Sequence, residues 1–285
     1  MNIVAATKRY VGDDRFRVRL FETIAQETRR VLHDLDGKDV KADASWSDDE
    51  FRRRICVYDD SFSELCRAEA LMGRWGTTSS GEALAHAIKR TCDRLESGEH
   101  TGWLRLQWYP TLLLFYAGGI GTVTAGRFDA LMALMHAPVR ESDGQHEKLV
   151  SAITDGLSDG TQFFKLLPGL ERKYVPSSEH LHEVFGRLLD DVLYLGSDLE
   201  LSFDMFEILR AIEYAHLSDR GWGPIGRFGW RIRYDANPWR RLMTDAQAAG
   251  DSWPPVAAGL CGGSSARLKT IVEQLQQAMS HAGWH

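Results

Sequence analysis

The chain has 285 residues, 44% of them hydrophobic and 26% charged, with a net charge of −6. That balance fits a globular protein with a real core and excludes a uniformly basic surface coating nucleic acid. The four cysteines, Cys56, Cys66, Cys92 and Cys261, form no CxxC pair and no zinc-finger spacing, so we expect a reduced, cytoplasmic protein whose cysteines pack as small core residues.

The opening residues, MNIVAATKRYVGDDRF, lack the apolar run and cleavage site of a secretion signal. Over residues 15–35, Phe21, Ile24, Ala25, Thr28, Val31, Leu32 and Leu35 recur at helical steps, predicting an amphipathic helix. In WSDDEF, Ser47 can cap the next helix while Glu50 returns a bond to the Ser47 amide, and Trp46 and Phe51 can staple the turn. That helix runs through Ile55, Tyr58, Phe62 and Leu65 to Met72, where RWGTTSSG breaks it, and Ser79 with Glu82 starts another towards Leu95.

YPTLLLFYAGGIGTVTAGRFDALMALM, residues 109–135, invites three readings. The apolar run from Leu112 to Ala125 is too short for the roughly 20 residues of a membrane span. Gly121 to Gly126 has phosphate-loop spacing, but Arg127 and Phe128 follow where Lys and Ser or Thr are needed. The stretch therefore reads as a packed hairpin, helix 110–124 and then a helix through Met135, whose glycines admit a closely crossing helix. Its return, GRFDALMALM, resembles the second helix of a tetratricopeptide-like hairpin in outline.

HEKLVSAITDGL predicts a shorter helix and SSEHLHEVFGRLLDDVLYL a longer one started by Ser177 or Ser178. Residues 198–217 follow, with Leu201, Met205, Ile208, Leu209, Ile212 and Ala215 on one face. Asn237 and Pro238 open a helix that Gly250 ends, and the last helix, 264–281, buries Leu268, Ile271, Val272, Leu275 and Met279. FGWRIRYD alternates briefly. The expected fold is thus all-α, an irregular multi-helix bundle or short α-solenoid of about nine or ten helices, with one short β-hairpin or extended arm near 226–235. A boundary near 140–145 would divide an N-terminal lobe, 1–140, from a C-terminal lobe, 141–285, unless the two form a single domain.

Chemical signatures are sparse. His180 and His182 in EHLHE point to different helix faces, and no further ligands accompany them, so a solvated helical face explains them and no metal or cofactor is expected. The adjacent carboxylates Asp48–Asp49, Asp59–Asp60 and Asp190–Asp191 are neighbours on helices, not converging acids. There is no GxSxG elbow, and GGSSAR at 262–267 reads as a loop with Ser264 capping the last helix.

The segment 220–241 is the most suggestive: six arginines (Arg220, Arg227, Arg231, Arg233, Arg240, Arg241) and one aspartate give a local +5. Trp222, Phe228, Trp230, Tyr234 and Trp239 lie among them. Such mixtures stack on bases and hold phosphates, and they also make protein-interface hot spots. They serve equally as structural anchors, with the aromatics in the core and the arginines paired to acidic helices.

Together WSDDEFRRRICVYD, RWG, YPTLLLFYAGGI, AGRFDALMALM, PIGRFGWR, WPP with AAGLCGGSSARL, and the terminal GW resemble the C-terminal helical region of large bacterial multidomain proteins. Those proteins carry Schlafen-type AlbA, SIR2-like or similar effector domains and are associated with phage defence or stress. No effector domain is recognisable in this chain. The resemblance implies a sensing, scaffolding or regulatory role in such a system. The expectation is a non-enzymatic, helical protein-interaction module that uses Arg220, Trp222, Arg227, Phe228, Trp230, Arg231, Arg233, Trp239, Arg240 and Arg241 to bind a protein partner. One alternative is a nucleic-acid or nucleotide sensor on the same arginines; another is a cryptic hydrolase using Asp190, Asp191 or His180. No membrane partner is expected, and the sequence leaves self-association open.

Overall fold

The computed structural model describes residues 2–42, 44–77, 80–95, 100–140, 146–218, 220–232 and 238–281. Ser79, Asn237 and residues 141–145, on which two expected caps and the expected lobe boundary fall, lie outside them. The first half contains α1 (Ile3–Tyr10), α2 (Arg17–Asp36), α3 (Asp48–Trp75), α4 (Ser80–Cys92), α5 (Thr101–Leu106), α6 (Tyr109–Thr124) and α7 (Phe128–Met135). After β1 (Pro138–Arg140) and β2 (His146–Lys148) come α8 (Leu149–Leu157), α9 (Pro176–Leu193), α10 (Asp198–Ser218), α11 (Phe228–Arg231), α12 (Pro238–Ala249), α13 (Pro254–Ala257) and α14 (Ser265–His281). The all-α expectation is met, with more helices than expected because α1, α5, α11 and α13 are too short to show a period.

Helix starts follow their local chemistry. The Ser47 hydroxyl accepts from the Glu50 amide at 3.1 Å, and the Trp46 and Phe51 rings lie 5.8 Å apart across the turn. Glu50 does not complete the capping box: its carboxylate turns to Arg53 (2.6 Å) and Arg54 (2.7 Å), which hold it down at about 2. Pro110 sits in the first turn of α6, and the Ser264 hydroxyl accepts from the Arg267 amide at 3.2 Å at the start of α14.

Helix α6 and the middle of α10 are buried on every side. In α6 every residue from Tyr109 to Val123 is buried, and in α10 every residue from Phe206 to Ala215. α6 crosses α3 so closely that a Cβ on Gly73 would stand 2.5 Å from the Gly118 carbonyl oxygen and 2.9 Å from the Thr122 nitrogen. On its other side Gly119 lies under the Phe206 ring of α10, where a Cβ would collide with ring carbons. The glycine-rich stretch is therefore a crossing point in the core. Among the described residues no helix is long and apolar enough to cross a membrane.

The short hairpin lies elsewhere than expected. β1 and β2 pair antiparallel, Val139 opposite Glu147, while residues 228–231 form the helical turn α11. The Phe228 ring stacks on Trp239 at 5.8 Å, whereas the Trp230 indole donates to Glu179. A strand would send these two side chains to one face; a helix sends them apart. Cys56 is a second correction: it is exposed, and only Cys66, Cys92 and Cys261 are buried.

Candidate functional site

Residues 220–231 of the arginine-rich segment fold back against α9 and α10. Arg227 donates from Nη2 to Glu200 at 3.1 Å, and its Nε faces Asp204 at 3.8 Å. Arg231 contacts Glu200 as well, and its Nε lies 3.2 Å from Asp204. Asp204 is fully buried, and burial, with Glu207 nearby, pushes its carboxyl up to about 7 against the pull of Arg227. Arg220 reaches Asp155 at 3.2 Å and the Tyr214 hydroxyl at 3.3 Å. Phe228 and Trp239 are core residues. Of the expected binding residues, Trp222, Arg240 and Arg241 face solvent without these commitments; Arg233, with Tyr234, lies outside the described residues.

The anchored segment forms one wall of a cleft of about 400 Å³. Residues Gly223 to Gly226 face the start of α9, and Glu207 and Arg210 of α10 form the floor with Tyr116 of α6. Exposed aromatics stand at its edge, Tyr174 at 72% and Trp222 at 47% of full exposure. Trp222 holds its position by meeting the Tyr214 ring edge-on, with centroids 5.9 Å apart.

On the floor, Glu207 is saturated. Its Oε1 accepts from the Tyr116 hydroxyl (2.9 Å) and the Ser178 hydroxyl (2.7 Å), and its Oε2 from the Arg227 amide (3.1 Å). Burial raises the carboxyl, and the Ser178 and Tyr116 bonds oppose that rise. Gly226 is required here, because a Cβ on it would overlap the Glu207 carboxylate. Arg210, 7% exposed, donates from Nη1 to the Tyr116 hydroxyl at 2.9 Å and from Nη2 to Thr154 Oγ1 at 3.2 Å. Its Nε has no partner, and neither has the buried hydroxyl of Ser158, which lines the same cleft.

The residues weighed for chemistry fall into other settings. His180 is not on a solvated face: its side chain is 12% exposed, and its Nε2 lies 3.0 Å from Asp59, which also accepts from the Tyr109 hydroxyl at 2.6 Å. This trio ties α3, α6 and α9 together. His182 is half-buried, held down to about 4 by desolvation and by Arg227 and Arg231. Asp190 and Asp191 are exposed at the far end of α9. Cys261 sits at φ 53° in GLCGG with its amide donating to Glu213 at 2.9 Å, and burial beside that carboxylate pushes the thiol up to about 12. A thiol held that high is a poor nucleophile. Among the described residues no cluster of three or more His, Cys, Asp or Glu side chains is placed to hold a metal ion.

Glu207 and Arg210 escape a sequence reading that assigns charged residues of α10 to its outer face. Their three-residue spacing, continued at Glu213, is that of a helix stripe, and GWGPIG is the loop that covers it. No protein-family model matches the chain, and neither a curated protein nor a solved structure does.

Proposed function

We propose that this protein is a non-enzymatic helical interaction module that receives a peptide segment of a partner protein in the cleft between α9, α10 and the 222–226 loop. The observation that carries the reading is the pair Tyr174 and Trp222, both large, both exposed, and both at the edge of a cleft whose floor is polar and preformed. Rigid aromatics with one apolar face and one polar tip are the usual anchors of protein recognition. Arg227 and Arg231 contribute indirectly, by fixing the wall against Glu200 and Asp204. Support for setting the module in a bacterial defence or stress-response system comes from the resemblance of the RWG, PIGRFGWR and WPP segments to helical regions of such proteins.

The test is a selection of random peptides, about a dozen residues long, displayed against the whole protein. Enriched peptides should bind the wild type and lose about tenfold or more in affinity to a Trp222→Ala/Tyr174→Ala double variant whose melting temperature is unchanged. No enrichment over a blank surface, or equal binding to the double variant, overturns the proposal. Binding of an oligonucleotide that weakens steeply with salt and requires Arg240 and Arg241 would favour the nucleic-acid alternative instead.

A further inference from the structure

Among the described residues Arg210 makes no ion pair of its own: Glu207 attracts it only across the Tyr116 hydroxyl that the two share. A guanidinium has five N–H donors, and here only the Tyr116 hydroxyl and Thr154 Oγ1 accept from it, both of them neutral groups. Among the described residues no carboxylate forms an ion pair with it. Glu207, one turn earlier on α10, is spoken for by Tyr116, Ser178 and the Arg227 amide. A buried charge left in this state is costly, and proteins keep such a charge where something else completes it. Ser158, a residue of the same cleft wall, carries the second unpartnered donor in its buried hydroxyl, and it holds φ at 20°, outside the regions that side chains favour.

We infer that the cleft docks a carboxylate, held by the Arg210 guanidinium with the Ser158 hydroxyl as a further donor, on a ligand whose apolar part lies along Leu112, Leu157, Leu181 and Ile225. A planar carboxylate matches the fork of donors that a guanidinium offers. Its single charge also suits a floor that already contains Glu207, which a doubly charged phosphate would meet with greater repulsion. A cleft of about 400 Å³ accommodates such a group with one or two side chains' worth of apolar mass. The identity of the ligand as a peptide rests on the proposed function; the carboxylate does not.

The experiment therefore begins with small probes. 4-Phenylbutyrate and its uncharged amide are titrated into the full chain while the indole N–H resonances are followed by NMR. The acid should shift the Trp222 signal saturably and the amide should need at least about tenfold more ligand. In Arg210→Gln that discrimination should vanish. Ser158→Ala, which leaves the guanidinium network intact, should lower it, and this variant decides the point if Arg210→Gln does not fold. Equal response to acid and amide, or none to either, overturns the inference whatever the peptide selection gives. With a selected peptide, C-terminal amidation and Asp/Glu→Asn/Gln replacement then separate a chain terminus from a side chain as the source. If every neutralised form binds the wild type as well as the parent, the inference is also overturned.

Discussion

At Gly73→Ala the helix-propensity gain and the packing cost oppose each other. Gly73 lies inside α3, and alanine there would gain about 1 kcal/mol of helix propensity. The new Cβ would stand 2.5 Å from the Gly118 carbonyl oxygen and 2.9 Å from the Thr122 nitrogen, whereas ordinary contact begins near 3.4 Å. Both obstacles are backbone atoms of α6, a helix buried on every side, so no side chain can swing aside. The helices would have to part by roughly 0.9 Å along a tightly packed core, which costs about 3 kcal/mol, more than the propensity returns. The net loss of about 2 kcal/mol corresponds to a fall of about 4–6 °C in melting temperature. Gly186→Ala is the matched control: it lies within α9, and its Cβ would meet only Leu199 at an ordinary 3.8 Å. That variant should melt about 1–3 °C higher than the wild type. Scanning calorimetry of the two, side by side, reads both signs. A Gly73→Ala protein as stable as the wild type would refute the close backbone crossing of α3 and α6.

Other perturbations test the buried acids. Glu69 is fully buried with neither oxygen partnered, and burial keeps its carboxyl well above the usual range. In the unfolded chain it ionises near 4.5, so this group's contribution to stability is present below that pH and declines as pH rises. Glu69→Met should raise the melting temperature at pH 7 by removing that cost, about 1–4 kcal/mol, and should raise it by less at pH 4, where only the unpartnered neutral carboxyl is relieved; equal effects at both would refute it. For Asp204, folded near 7 and unfolded near 3.8, the same sign applies. The stability difference between wild type and Asp204→Asn should fall by up to about 4 kcal/mol between pH 4 and 7, measured by urea unfolding, and a flat difference would contradict it. Ser47→Ala should cost about 1 kcal/mol in the same assay, because the Glu50 amide loses its acceptor.

Much of the architecture is legible because local chemistry decides it. Ser47, Pro110, Ser264 and Gly250 mark helix ends through caps, fixed φ and a left-handed turn, each a property of a few adjacent residues. Gly118, Gly119 and Gly121 announce a crossing without saying which helices cross. The errors lie where tertiary packing overrides a short pattern. FGWRIRYD alternates for too few residues to separate a strand from a helical turn, and over residues 228–231 the destinations of Phe228 and Trp230 decide for the turn. On α10, Glu207, Arg210 and Glu213 look like a solvent stripe. Their burial depends on partners far along the chain: Tyr116, Ser178, Cys261 and His136. His180 is misjudged for the same reason, since Asp59 is supplied by a helix that the sequence places more than a hundred residues away. The binding residues read from 220–241 divide accordingly: the aromatic Trp222 reaches the cleft mouth, while Arg227 and Arg231 hold the wall from behind.

The most direct measurement is a crystal structure of the protein bound to its tightest selected peptide. The account predicts the peptide between Tyr174 and Trp222, with one of its carboxylates within hydrogen-bond distance of Arg210 and Arg227 still paired to Glu200. A peptide seated on another face, with the cleft empty and Trp222 untouched, would contradict it.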